Sequence, residues 1–309
     1  MNEKIVFMGT PSFAANVLEG LISKGFNIIG VVTQPDKEIG RKRVLTPSEV
    51  KIIAQKYNIP VLTPTKIRKE YQDVLNLEPD LVITCAYGQF IPNEILDYPK
   101  FKCINTHGSL LPLYRGGAPI QRAIINGETE TGITIQYMAE KMDEGDILFQ
   151  KKTNIDIEDT NTTLFKKLSD LALEMLLEFL PKLFIGDINP VCQNNEDATY
   201  APNLPKEIEK IEFNENTINV YNHIRGLLDN PGCYFVLDDK KYKIEKAFFE
   251  LNDCVETNTF VGLENDYIRI DCKDGFIKVF NIKPEGKNSM DAKSFFNGAG
   301  RSLVGKKIG

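Results

Sequence analysis

Short apolar blocks alternate with helix-period segments along the first half of the chain. Residues 4–8 read as a buried strand. Gly9-Thr10-Pro11-Ser12 is a turn, with Ser12 placed to cap a helix over residues 13–24. Residues 26–33 are a second strand, apolar and β-branched. A strand, a helix and a strand in this order predict a parallel sheet. The pattern continues with a helix over 47–57, a short strand at Val61-Leu62, a helix over 67–76 and apolar strands at 81–85 and 103–104. Residues 118–126 read as a helix that Gly127 ends. An alternating strand over 131–138 then leads through an acidic turn to a returning strand over 147–153. A long amphipathic helix covers about residues 162–183.

The pattern changes near residue 187. Residues 187–209 hold Pro190, Asn194, Asn195, Pro202 and Pro205 with few periodic apolar positions, which predicts a linker. Beyond it, a helix over 217–228 precedes short strands at 233–237, 242–249, 259–263, 267–272 and 276–283. Strands at this spacing suggest a small β-barrel. A last helix starts near Asp291 and ends at Gly298-Ala299-Gly300. The expected organisation is an α/β domain with a Rossmann-like, mostly parallel sheet over 1–189, a linker over 190–209 and a β-barrel domain over 210–309.

Composition narrows the class. The 42% hydrophobic and 26% charged content is ordinary for a globular protein. A net charge of -6 argues against bulk attachment to nucleic acid or an anionic membrane. A local patch is compatible with it, since residues 281–309 carry a net charge of +4. The six cysteines show no CxxC spacing and no histidine cluster, so free thiols in a reducing compartment are expected, with no zinc site. No signal peptide and no run of membrane-spanning length is evident, and a cytoplasmic monomer is the default reading.

Two loops carry candidate chemistry. Residues 34–46 form a charged loop ending in Arg41-Lys42-Arg43, either a solvated surface loop or a finger that contacts phosphates. The first turn lacks GxGxxG, which counts against a dinucleotide site, although Asp36 stands where a ribose-binding acid would. The second loop is Asn105-Thr106-His107-Gly108-Ser109-Leu110-Leu111-Pro112-Leu113-Tyr114-Arg115-Gly116-Gly117-Ala118-Pro119-Ile120. It leaves a strand at the C-terminal edge of the expected sheet, where ligands bind in open α/β folds. Asn105 and His107 lie two apart and face one side of an extended segment. Asp143 sits in the acidic turn Met142-Asp143-Glu144-Gly145-Asp146.

An amide donor, an imidazole and a carboxylate suit acyl transfer to an amine. Asn105 would donate to the oxyanion, His107 would stabilise charge or move a proton, and Asp143 would orient the imidazole or relay the amine's proton. Ser109 lacks the GxSxG pattern of a nucleophile. The bland alternatives stand beside these: a structural histidine, a strand-end asparagine and a turn-forming aspartate. His223, on the 217–228 helix, reads as structural.

At the Asn-x-His-x-Ser-Leu-Leu-Pro run, at Arg115-Gly116-Gly117-Ala118-Pro119-Ile120 and at Met142–Asp146, the chain resembles the folate-dependent formyltransferases. The opening Phe7-Met8-Gly9-Thr10-Pro11-Ser12-Phe13-Ala14 and the Val32-Thr33-Gln34-Pro35-Asp36…Gly40-Arg41 segment bring it most closely to the family that formylates methionyl-tRNA. The resemblance implies a catalytic set of Asn105, His107 and Asp143. It implies a folate site lined by Ser109, Leu110, Leu111 and Pro112, with Tyr87, Gln89 and Ile91 near the pterin. It further implies 10-formyltetrahydrofolate as formyl donor, initiator methionyl-tRNA as acceptor and no metal. The Arg41, Lys42, Arg43 loop would meet the acceptor arm, and the C-terminal barrel, of OB-like type, would bind tRNA. From Glu207 onward the net charge is only -2, so Lys306 and Lys307 in the basic tail are the candidates there. An amino-sugar nucleotide as acceptor is the alternative that keeps the chemistry.

Overall fold

The computed structural model describes residues 2–40, 43–253 and 256–309. The chain divides into two compact units that do not follow chain order. The first holds residues up to 119, 130–154 and 165–202; the second holds 120–129, 155–164 and 203–309.

The strands of the first unit are β1 (Ile5–Gly9), β2 (Ile28–Val32), β3 (Lys37–Ile39), β4 (Val44–Thr46), β5 (Val61–Leu62), β6 (Leu81–Cys85), β7 (Cys103–His107), β8 (Glu130–Tyr137) and β9 (Ile147–Asn154). Seven of them form one sheet in the order β5-β2-β1-β6-β7-β8-β9. The first five are parallel, and β8 and β9 close the far edge antiparallel. Every residue of β1 and β6 is buried, which explains their unbroken apolar runs. Register places the C-terminal ends of β1, β6 and β7 together: Gly9 stands beside Cys85, and Thr84 beside Asn105.

The helix Ser12–Ser23 begins one residue earlier than the sequence suggests, with Pro11 rather than Ser12 at its cap; the Pro11 carbonyl accepts from Ala15 N–H at 3.0 Å. The helix Asn161–Phe184 buries Leu168, Ala172, Met175, Leu176, Phe179, Leu180 and Leu183 at helical spacing. Its Ser169 hydroxyl donates to the Phe13 carbonyl at 3.0 Å, joining it to the first helix. The 67–76 helix is instead two short turns, Ile67–Glu70 and Gln72–Leu75, interrupted at Tyr71. The charged loop over 34–46 contains an antiparallel hairpin of β3 and β4, which pairs Lys37 with Thr46 and Ile39 with Val44.

Residues 190–202, expected as linker, pair with the first unit through their backbone. Val191 exchanges hydrogen bonds with Ile147 at 2.8 and 2.9 Å, and Thr199 and Ala201 bracket Arg115 at 2.7 to 2.8 Å. A segment held by its main chain needs no apolar period, so the pattern gave no sign of it.

The second unit is antiparallel. Its strands are β10 (Cys233–Leu237), β11 (Lys240–Leu251), β12 (Phe260–Glu264), β13 (Tyr267–Asp271), β14 (Gly275–Pro284) and the short β15 (Met290–Asp291), ordered β10-β11-β14-β13-β12 with β15 on β14. Phe235, Ile244, Phe260, Ile270, Val279 and Ile282 form the core with Val220, Ile224 and Leu227 of the helix Thr217–Leu227. The C-terminal tail lies between the two outer strands. Lys306 and Gly305 pair with Phe260 at the start of β12, while Gly309 N–H reaches the Val236 carbonyl of β10 at 3.2 Å.

Candidate active site

Three neighbouring strands raise a column of polar side chains on one face of the sheet. Asn105 on β7 stands between Thr84 of β6 and Gln136 of β8, and His107 stands opposite Thr134. Partners in register point to the same side. The Thr84 hydroxyl donates to Asn105 Oδ1 at 2.9 Å. With its oxygen engaged there, the Asn105 amide offers Nδ2–H as its donor.

His107 is buried, and both its ring nitrogens face oxygens. Nε2 lies 2.9 Å from the Tyr114 carbonyl, and Nδ1 lies 3.5 Å from Asp143 Oδ1. The imidazole is therefore oriented from both ends. Asp143 is only 10% exposed at its side chain. Gln136 Nε2 donates to its Oδ1 at 3.0 Å, and Gly116 N–H donates to its Oδ2 at 2.8 Å. The acidic turn thus lies against the loop that follows β7, bringing together the three residues that the sequence singled out.

Behind Asp143 sits a second polar layer. Gln193 Nε2 donates to the carbonyls of Asp143 and Gly145 at 2.8 and 2.7 Å. Its Oε1 accepts from Arg115 Nε and Nη2 at 3.1 and 2.8 Å. The Arg115 side chain is 1% exposed and also contacts Asn195 Oδ1 at 2.9 Å and Glu144 at 3.5 Å.

The remaining expected site residues divide by what holds them. Ser109 is buried, and its hydroxyl donates to the Leu113 carbonyl at 2.6 Å. The Thr134 hydroxyl takes up the Ser109 carbonyl and the Leu111 N–H, and Gln150 donates to the Leu111 carbonyl at 3.0 Å. Leu110 packs toward Gly132, and Pro112 accepts from Thr199 N–H. This segment is pinned to β8 and β9. Gln89 crosslinks the protein: its Oε1 accepts from Ile67 N–H at 2.9 Å, and its Nε2 reaches Pro64 O and Gln34. Tyr87 is buried with a hydroxyl that has no hydrogen-bond partner among the described residues, and burial holds its phenol well above the ordinary range. Ile91 borders an open cavity of about 580 Å³. Asp36, considered for a ribose, is engaged by Lys51 at 2.8 Å from both oxygens.

Of the candidate tRNA residues, Arg41 and Lys42 lie outside the described residues. Arg43 is exposed beside Glu38 at 3.8 Å, next to the bare apolar tips of Val44 and Leu45. Lys306 is paired with Asp238, and Lys307 donates to Thr257 O and Thr259 Oγ1 at 2.8 and 2.7 Å. Lys243 and Lys283 are different: they face each other across β11 and β14, and among the described residues neither has a carboxylate at ion-pair distance. Facing like charges cost stability.

Thr84, Thr134, Gln136 and Gln193 were missed from sequence. For two of them a signal existed. Gly132, Thr134 and Gln136 alternate with Thr131, Ile133 and Ile135, and both Thr134 and Gln136 are buried. A buried polar row in a strand marks partners waiting on that face.

Comparison with known proteins matches this architecture. A formyl transferase domain model covers residues 3–180, and a formyl transferase C-terminal domain model covers residues 203–300. The methionyl-tRNA formyltransferase of Bacillus cereus (strain B4264) is 46% identical over 312 residues, spanning 99% of this chain and 98% of the relative. That of Bacillus thuringiensis subsp. konkukian (strain 97-27) is also 46% identical with the same coverage. Among solved structures, the N-formyltransferase from Helicobacter canadensis, in complex with folinic acid and dTDP-3-aminofucose, superposes with TM-score 0.69 at 22% identity, covering 90% of this chain and 99% of that one. HypX from Aquifex aeolicus, in complex with tetrahydrofolic acid, gives 0.71 at 16% identity, covering 97% and 48%. At those identities the structures speak for the fold, while the full-length relatives and the domain models speak for the family: this chain belongs to the methionyl-tRNA formyltransferases.

Proposed function

We propose that this chain transfers the formyl group of 10-formyltetrahydrofolate to the α-amine of methionine on initiator tRNA, for translation initiation. The observation that carries the reading is the His107–Asp143 contact on the face of β7 that also carries Asn105, whose register partner Gln136 holds the Asp143 carboxylate. It occurs in a chain 46% identical over its full length to named methionyl-tRNA formyltransferases.

The donor supplies a formyl group activated on nitrogen. The methionine amine bonds to the formyl carbon, and negative charge gathers on the formyl oxygen. Asn105 donates Nδ2–H to that oxygen, and His107 stabilises the same charge. Asp143 accepts the proton that the attacking amine must lose, directly or through one water. Collapse breaks the bond from carbon to the donor nitrogen, which takes up a proton. No covalent enzyme intermediate is needed, which agrees with Ser109 being bound to a backbone carbonyl.

On the folate side the residues fit in part. The Tyr87 hydroxyl, without a partner among the described residues, is a polar group available to a heteroaromatic ligand, and the cavity at Ile91 is bordered by Arg68, Asn93, Glu94 and Asp97. Gln89 and Ser109 to Pro112 belong to the proposed site by resemblance, and their polar groups are held by contacts within the protein. On the tRNA side, Arg41, Lys42 and Arg43 of the 34–46 sequence, Lys306 and Lys307 of the tail, and the facing Lys243 and Lys283 form the phosphate-contacting set. No helix among the described residues is long and apolar enough to cross a membrane. A monomer working in the cytoplasm completes the reading.

The test is formylation of methionyl initiator tRNA by the purified chain with 10-formyltetrahydrofolate, read by mass spectrometry of the released aminoacyl group. Methionyl elongator tRNA and an amino-sugar nucleotide run beside it. Formyl-methionine from the initiator tRNA alone is the expected result. Turnover with the sugar nucleotide alone would move the acceptor, and no turnover at all would remove the reading.

A further inference from the structure

Gln193 comes from a segment with no apolar pattern, yet its amide is completely used. Its two N–H bonds meet the carbonyls of Asp143 and Gly145 at 2.8 and 2.7 Å. Its oxygen receives both Nε and Nη2 of Arg115 at 3.1 and 2.8 Å. A reversed amide would set oxygen against two carbonyls and NH₂ against a guanidinium. Arg115 therefore dictates which way the glutamine faces.

What the glutamine holds is an unusual piece of backbone. Asp143 is a non-glycine residue at φ 56°, in the left-handed region. Two residues on, a Cβ on Gly145 would come within 1.8 Å of the Tyr137 carbonyl, so the turn presses directly on β8. Gln193 Nε2 also lies 3.3 Å from Gln136 Oε1, and the other end of Gln136 donates to the Asp143 carboxylate. One side chain thus braces both the main chain and the side chain of Asp143.

The same strap secures the other partner of His107. Thr199 accepts from Tyr114 N–H through its hydroxyl at 2.8 Å and from Arg115 N–H through its carbonyl at 2.8 Å. Tyr114, also left-handed at φ 59°, carries the carbonyl that His107 Nε2 meets. Residues 193 and 199 consequently set the two oxygens between which the imidazole sits.

We propose that Gln193, oriented by Arg115, is a positioning residue for Asp143, and that the 191–201 strap aligns the His107–Asp143 pair for formyl transfer. The inference rests on the reading of Asp143 as a group that touches substrate.

The experiment compares full-length wild type, Asp143→Ala, Gln193→Glu and Gln193→Met in the formylation assay, with thermal melts. Gln193→Glu keeps the acceptor for Arg115 and the shape, but loses both N–H donors. It should lower kcat about 100-fold, as an ångström-scale misplacement does. KM for the tRNA should stay within about twofold, and the melting temperature should fall by only a few degrees, leaving the protein folded at the assay temperature. Gln193→Met, which lacks donor and acceptor alike, should lose at least as much. Neither change should add a loss in the Asp143→Ala background, because the two residues act through one contact. Wild-type kcat in either glutamine variant, or a full further loss beside Asp143→Ala, would overturn the inference. An inactive wild type, or an Asp143→Ala enzyme with normal kcat, would strike the functional reading itself, so the two failures are told apart.

Discussion

Asn105 and Gln136 stand directly opposite each other on β7 and β8, so the amide proposed to meet the formyl oxygen and the amide that holds Asp143 rise from the same face of the sheet. The strand pair thereby fixes the spacing between the two ends of the proposed reaction: charge gathers on one side and a proton departs on the other.

Removing the charge-stabilising groups tests that division. Asn105→Ala should lower kcat about 10²- to 10³-fold, the cost of losing one oxyanion donor. His107→Ala should lower it roughly 10²- to 10⁴-fold. In both, KM for methionyl-tRNA should move little. Steady-state kinetics that changed KM alone would assign these residues to binding.

Arg115 is a buried cation with few alternatives. Arg115→Leu would leave Gln193 Oε1 and Asn195 Oδ1 without their donor and Glu144 without its ion pair. A loss of roughly 2 kcal/mol or more is expected, since hydrogen bonds to charged groups are worth that much. Urea denaturation measures it. An unchanged midpoint would mean that the arginine's partners re-pair with solvent at no cost.

His223 supplies a pH dependence of stability. It is half-buried with Nε2 at 2.7 Å from the Ile208 carbonyl, and desolvation holds its pKa below the ordinary 6.5, with the carbonyl contact opposing. The unfolded chain then binds a proton that the folded chain does not. Stability from this group is complete above about pH 6.5 and falls as pH drops toward the lowered value. Melting temperatures from pH 7.5 to 5 should show a decline that His223→Gln reduces. An identical decline in the variant would place its origin elsewhere.

Two buried thiols should be inert. Burial pushes Cys85 and Cys233 up to about 12. At pH 8 only about one in 10⁴ of each is thiolate. Iodoacetamide followed by peptide mass spectrometry should leave both unlabelled in the native protein and label both in denaturant. Native labelling would show that these strands open readily.

The basic face of the second unit should carry part of the tRNA affinity. Neutralising Lys243 and Lys283 together should weaken binding and reduce the slope of log K against log salt by about 1 to 2. Lys306→Gln with Lys307→Gln should reduce it less, because Asp238, Thr257 and Thr259 already occupy those ammonium groups. Equal slopes for wild type and the Lys243/Lys283 variant would exclude that face.

Much of this molecule was present in its order of residues. Period alone separates strands from helices: unbroken apolar runs mark the parallel strands buried on both faces, and a 3.6-residue stripe marks the helix Asn161–Phe184. Asn105 and His107 share a face because they are two apart on a strand, a local fact. Asp143 was legible as a residue but not as a neighbour. Its place beside His107 depends on β8 reversing against β7 and returning its turn to the site. Thr84 and Gln193 became visible only with register and burial, since a glutamine looks the same in sequence whether it faces solvent or two carbonyls. Gln136 and Gln193 meet across 57 residues, and the 190–202 strap joins the first unit through main-chain bonds that leave no mark on side-chain choice. Gln89 and Lys307 show the converse: side chains chosen for a ligand by type are held by the protein's own backbone. Local periodicity decided the elements. The hydrogen bonds between distant polar groups, which depend on strand pairing and on burial, decided the site.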